Sequence, residues 1–190
     1  MRAAALAIYG VFALVALVVR SFLHRKATGR SPFPIPSSAL AWLGQSLLSA
    51  GIVGSPAGVA FGEANDTVVA VVGLVLSAAG VVVTIVAQEH MGASWRAGLD
   101  PGERTELVTR GLFRRVRNPI YAAMIVVGVG MALVVFNVVT VVSVVAILAG
   151  AEIVVRGVEE PYLLRMHEGD FTRYAARTGR FFPGVGERRG

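Results

Sequence analysis

The sequence predicts an all-α membrane protein of about five transmembrane helices, ending in a helical hairpin and an amphipathic cytoplasmic tail helix. Two observations carry this. Apolar runs of about 20 residues recur along the chain, the length a helix needs to cross a hydrocarbon core. The basic residues, which give the 190-residue chain a net charge of +6, are bunched beside those runs, as membrane orientation requires. The same placement argues against nucleic acid, which needs its cations along one soluble face. The chain has no cysteine, which excludes disulfides, Cys-ligated zinc and a Cys nucleophile within it.

The first predicted span covers about residues 3–19. Arg20, Arg25, Lys26 and Arg30 follow it, the wrong flank for a cleaved signal peptide. Ser31-Pro32-Phe33-Pro34-Ile35-Pro36 then breaks any helix, because proline lacks the amide donor and restricts its predecessor. The second span, about residues 38–60, is diluted by Gly44, Gly51, Gly54, Pro56 and Gly58, yet small residues also permit close helix contact in lipid. Gly62-Glu63-Ala64-Asn65-Asp66 reads as an acidic turn. The third span, about residues 67–87, leaves through Gln88-Glu89-His90, and Trp95 suits the headgroup interface.

A polar loop holding Arg104, Arg110, Arg114, Arg115 and Arg117 leads to a tight hairpin, residues 119–136 and 138–155, with Asn137 at its tip. In the tail, Tyr162, Leu163, Leu164, Phe171 and Tyr174 are spaced so that one helical face rests on the membrane. Five spans put all three basic segments on one side. The N-terminus is therefore expected outside, and the C-terminus on the cytoplasmic side of the cell membrane.

Polar residues concentrate at the cytoplasmic ends of spans three, four and five. In Arg117-Asn118-Pro119, Asn118 is a favoured N-cap and Pro119 a favoured first helical residue, so the pair starts span four. The same helix start offers amides to an anion, Gly111 allows close backbone approach, and Arg117 suits a carboxylate. Glu152, Arg156 and Glu160 are spaced four apart and are expected to pair along one face, leaving Glu159 as the freer carboxylate. Glu152 lies within the span, where an ionisable group is a functional hypothesis by default. His90 is expected to be solvated or capping, and no ligand spacing supports a metal.

These clusters resemble the isoprenylcysteine carboxyl methyltransferase family, a membrane group related to phospholipid methyltransferases. The family pattern has Leu-Val-Thr-x-Gly, then Arg-His-Pro-x-Tyr opening a helix, a hairpin, a Glu-Glu pair, and a tail with an Arg and a Pro. Here it reads Leu107-Val108-Thr109-Arg110-Gly111, Arg117-Asn118-Pro119-Ile120-Tyr121, Glu159-Glu160, and Phe171-Thr172-Arg173-Tyr174 leading to Arg180-Phe181-Phe182-Pro183. Met91-Gly92-Ala93-Ser94-Trp95-Arg96 resembles a segment of bacterial members. The resemblance spans about residues 88–183.

It implies methyl transfer from S-adenosyl-L-methionine to a lipophilic acceptor (a carboxylate, thiol or lipid head group) entering from the bilayer. It places Val108, Thr109, Gly111, Leu112, Asn118, Pro119 and Tyr121 along the cofactor, with Glu159 or Glu160 as polar clamps. Arg117 and Arg180 become candidates for orienting an anionic group; with Glu159 they are the candidate catalytic residues. Asn118 departs from the family's His and carries no charge near neutral pH. Residues 1–66 then read as a two-helix scaffold and 67–190 as the catalytic region. Two other readings stay open: a sterol-reductase-like enzyme using NADPH, and a non-catalytic transporter or membrane partner built on Glu152. The pattern assigns no oligomeric state.

Overall fold

Helices form where the apolar runs lie. The computed structural model describes residues 1–96, 98 and 106–187; Arg104 of the basic loop lies outside the described residues. The long helices are α1 (Arg2–Thr28), α2 (Ala39–Phe61), α3 (Thr67–Met91), α4 (Pro119–Val134) and α5 (Val138–Val154). A π-helical turn, Val155–Glu159, joins α5 to α6 (Glu160–Ala175). The described residues hold no strand, only an isolated bridge between Val116 and Gly179.

Among the described residues, three helical runs are long and apolar enough to cross a membrane: α1, α3 and the continuous run Val138–Ala175. The 16-residue α4 is shorter, about 24 Å at 1.5 Å per residue. The 23-residue α2 has the length, but Gln45, its serines and its glycines dilute its apolar character.

Local chemistry sets the ends. Ser38 caps α2 by accepting from the Ala41 amide at 3.1 Å, and Asp66 caps α3 through Val68 at 2.9 Å. Asn137, expected at the hairpin tip, forms a reciprocal capping box with Thr140. The first helix outruns its predicted end at residue 19 and stops only at Gly29, whose φ of 72° is left-handed. Two interactions carry the extension. Arg25 and Lys26 complement the negative end of the helix dipole, and Arg20 donates to the Gln88 carbonyl at 3.0 Å and to that of Gly92. Within the π-helical stretch Ala13–Val19, the Ala16 carbonyl accepts from the Gln88 side chain at 2.9 Å.

Small residues set how closely the helices lie. In α2, Gly44, Gly51 and Gly58 face α5; a Cβ at Gly51 would stand 2.6 Å from the Ser143 carbonyl oxygen. In α3, Gly73 and Gly80 face α4; a Cβ at Gly73 would stand 2.5 Å from the Gly130 carbonyl oxygen. The glycines that dilute the hydropathy are therefore what permits backbone-to-backbone packing. The valines of α3 that do not face a partner, among them Val72, Val75 and Val82, are exposed, as a lipid-facing surface requires.

Two expectations are corrected. The apolar face of α6 does not lie open for a membrane. Phe171, Tyr174 and Ala175 are buried with Leu107, Leu163 and Leu164 packed on them, and the Tyr174 hydroxyl donates to the Phe113 carbonyl at 2.7 Å. The helix also breaks at Glu168, where φ is +35°. An apolar stripe says that a face is covered, not whether lipid or protein covers it. Trp95 is likewise buried rather than interfacial: His24 meets its ring edge-on at 6.1 Å, and the Arg20 guanidinium lies 5.5 Å from its centroid.

Substituting Gly73→Leu is expected to lower the stability of the α3–α4 pair by about 1–3 kcal/mol through overpacking. Gly10→Ala, where nothing lies within 4 Å of the new methyl, is expected to leave stability unchanged or slightly raised. Thermal unfolding of the detergent-purified variants checks both.

Candidate functional site

The basic end of the bundle is organised by one carboxylate. Glu160, at the start of α6, is buried and accepts from Arg180 twice, Nε to Oε1 at 2.9 Å and Nη2 to Oε2 at 3.0 Å. It also accepts from Arg117, Nε and Nη2 both reaching Oε1, at 3.3 and 3.1 Å. Arg117 is itself buried. Its remaining donors go to the carbonyls of Ala175 at 3.0 Å, Thr178, and Gly186 at 2.8 Å. All five guanidinium protons are thus held by the chain, and none remains for a substrate anion. The hydrogen bonds that Arg180 donates to Glu160 hold its guanidinium pKa above its ordinary value.

This junction ties the tail to the start of α4. The Arg117 amide donates to the Gly179 carbonyl at 2.8 Å, the Asn118 amide to the Arg180 carbonyl at 3.0 Å, and the Gly179 amide to the Arg115 carbonyl at 3.2 Å. Asn118 occupies the N-cap position of α4, but its side chain caps nothing. Its Nδ2 donates to the Arg180 carbonyl at 3.1 Å. The expected Arg156–Glu160 pair is also replaced: Arg156 turns back to Glu152, and Glu160 turns inward to the two buried arginines.

Glu159 is the freer of the two carboxylates, as its spacing implies, but it is not without partners. The Tyr121 hydroxyl donates to its Oε1 at 2.7 Å, and Arg96 adds an opposite charge nearby. His90 accepts the Leu112 amide on Nδ1 at 3.3 Å, which pins the 3-10 turn Gly111–Arg114 onto the end of α3. Gly111 has a φ of +59°, and a Cβ there would run into the His90 ring. The close approach at Gly111 is therefore to the protein's own imidazole.

Above these groups opens a cavity of about 410 Å³, within the range of small-molecule sites. Its polar end holds Glu106, Asn118, Tyr121, Glu159 and Glu160; its apolar end holds Phe12, Leu17, Leu48, Ile52 and Val53. Of the residues marked by the sequence, Val108, Arg117, Asn118, Pro119, Tyr121, Glu159 and Glu160 line it. Gly111 and Leu112 line a second, more open cavity on the far side of the turn. Thr109 is exposed and, like Arg180, lines neither. Lining residues passed over in the sequence include Gln45 and Thr84. Gln45 carried a signal, being the sole amide or charged side chain in α2. Glu152 lines neither cavity, and no group of His, Asp and Glu able to hold a metal occurs among the described residues.

The family model for phospholipid methyltransferases matches residues 68–169, just over half of the chain. The chain belongs to the phospholipid methyltransferase family. The match begins at the first turn of α3, runs through the hairpin and includes the Glu159–Glu160 pair. Membership gives a membrane methyltransferase as the class of protein, within the wider group that the motifs resemble. A search of curated proteins gave no match. In this phospholipid methyltransferase family member the Arg180 partner of Glu160 lies beyond the matched residues, as do α1 and α2, which supply much of the apolar end of the cavity.

Arg117→Gln is expected to cost about 1–3 kcal/mol, because it takes the donors from the Ala175, Thr178 and Gly186 carbonyls and leaves the buried Glu160 with Arg180 as its remaining cation. Arg180→Gln, at the more exposed partner, is expected to cost less. Chemical or thermal unfolding of the two variants side by side checks the order.

Proposed function

We propose that this protein transfers a methyl group from S-adenosyl-L-methionine to a lipophilic acceptor at the cytoplasmic face of the cell membrane. The observation that carries the reading is the two-ended cavity: carboxylates and hydrogen-bonding groups at the basic end, apolar walls running inward from them. Family membership supplies the class of reaction.

The donor set fits such a cofactor. A sulfonium and an ammonium group are both cationic, and Glu159, oriented by Tyr121, presents a carboxylate at the polar end. Glu160 contributes differently. Two guanidinium groups neutralise it, so it builds the wall and holds the tail in place. Asn118, Pro119 and Val108 complete the lining on the α4 side. Bound there, S-adenosyl-L-methionine supplies a methyl group already activated by the positive sulfur. The chain's own residues then have three tasks: to bind the cationic centre, to align the acceptor and to exclude water. None of these needs a strong base, which suits Asn118 where relatives carry His.

The acceptor end supports a lipid-like molecule. Phe33 and Val53 line the cavity and are also exposed on the outer surface, so a chain in the bilayer has a route to the polar end. Carboxylate, thiol and lipid head group all satisfy this geometry as acceptors. Sidedness follows from charge: with five helices crossing in alternation, Arg25, Lys26, Arg110, Arg114, Arg115 and the tail gather at one end.

Glu159→Gln is expected to weaken binding of radiolabelled S-adenosyl-L-methionine to the purified protein by 10-fold or more, in proportion to a lost charge-assisted contact of about 1.5–3 kcal/mol. Glu152→Gln is expected to leave it unchanged. Displacement of the label by NADPH, or equal binding by the two variants, would count against the proposal.

A further inference from the structure

The second cavity, about 710 Å³ on the outer side of the Gly111–Arg114 turn, is separate from the reaction cavity and shares Pro119 with it. Its floor is made of small side chains, Ala79 and Gly80 of α3 and Ala122 of α4, which leave a trough between the helices. Val83, Val126 and Phe181 wall it with hydrocarbon. At its basic end stand Arg114 and Arg115, both exposed, and neither has an acidic partner among the described residues.

We propose that this groove binds an anionic phospholipid, with an acyl chain in the trough between α3 and α4 and its phosphate between Arg114 and Arg115. Charge and shape point to the same occupant. The exposed valines Val82, Val83 and Val86 put the outer face of α3 against hydrocarbon, so the trough opens toward acyl chains. A soluble anion would satisfy the arginines and leave the trough uncovered; a neutral lipid would fill the trough and leave two cations unpaired beside an apolar wall. The turn that carries the arginines is rigid, pinned by His90 on one side and by Tyr174 on the other. It turns Leu112 toward the groove and Phe113 toward the reaction cavity, and Pro119 lines both. The bound lipid therefore buttresses the wall that the two cavities share.

Native mass spectrometry of the full-length protein tests this, with phosphatidylglycerol and phosphatidylcholine of identical chains offered at equal concentration. Preferential retention of phosphatidylglycerol is expected, lowered about 10-fold or more in the Arg114→Gln/Arg115→Gln double variant. Lowered retention is also expected in Ala79→Phe, which fills the trough with both arginines intact. Arg25→Gln/Lys26→Gln removes two charges from the same end of the bundle and is expected to retain the lipid as the unaltered protein does. Equal retention of the two lipids would overturn the proposal, as would undiminished retention in the double variant or competition by glycerophosphate as strong as that of the intact lipid. If the double variant does not fold, the Ala79→Phe result decides. Binding of S-adenosyl-L-methionine, measured on the same preparations, reports separately on the proposed activity.

Discussion

A carboxylate placed between two guanidinium groups below the helix bundle holds three separate stretches of chain together. Glu160 comes from the exit of α5, Arg117 from the loop before α4 and Arg180 from the tail, and each reaches the others only if all three segments are in position. Burying these charges is costly, and the Coulomb attraction alone does not reliably offset it. The arrangement persists because nearly every proton is used: Arg117 spends its spare donors on the carbonyls of Ala175, Thr178 and Gly186, which flank the Gly179–Arg180 stretch that pairs with residues 115–118. Desolvation makes a partial version worse than none, so the junction forms as a unit. It fixes where α4 begins, and hence where Asn118 and Tyr121 point.

That junction would have nothing to organise if the helix ends above it were not already close. Glycines in α2 and α3 let each helix meet its partner backbone to backbone, α2 on α5 and α3 on α4. The α4–α5 hairpin, locked at its tip by the Asn137–Thr140 box, then joins the two pairs. The cavity is the space left at the basic end between these close-packed pairs and α1. This is why its apolar walls come from α1 and α2 while most of its polar groups come from the ends of the later helices.

Much of this was legible in the chain, and the parts that were not share a cause. Helix positions followed from apolar length, and the start of α4 from Asn118-Pro119, because those signals are local. The tail helix was legible as an amphipathic element, but its partner was not: Phe171 and Tyr174 pack on Leu107 and against the Phe113 turn, contacts more than 60 residues away in sequence. The pairing of Glu160 failed for the same reason. Helical spacing offered Arg156, but the turn Val155–Glu159 is π-helical, which shifts the register of the side chains beyond it. Arg156 stays with Glu152 on the outer surface, and Glu160 turns inward to cations that no local rule could have supplied. Gly111 was correctly read as a place of close approach, yet what approaches is His90, which no spacing links to it.

The neighbouring carboxylates Glu159 and Glu160 show how one helix turn can separate structure from chemistry. Glu160 is paired on both oxygens and cannot change partners without loosening the tail. Glu159 is one residue away, lines the cavity and is oriented by the Tyr121 hydroxyl, with Arg96 as an opposite charge nearby. A hydroxyl fixes direction without itself cancelling charge, so the Tyr121 contact orients Glu159 where the two guanidinium groups pair off Glu160. Asn118 fits the same division. Its amide orients the Arg180 carbonyl, a task for a neutral donor, and a group that never ionises adds no second cation to compete for Glu159. One turn of chain thus divides its two carboxylates between a structural lock on the tail and a group that lines the cavity beside Tyr121.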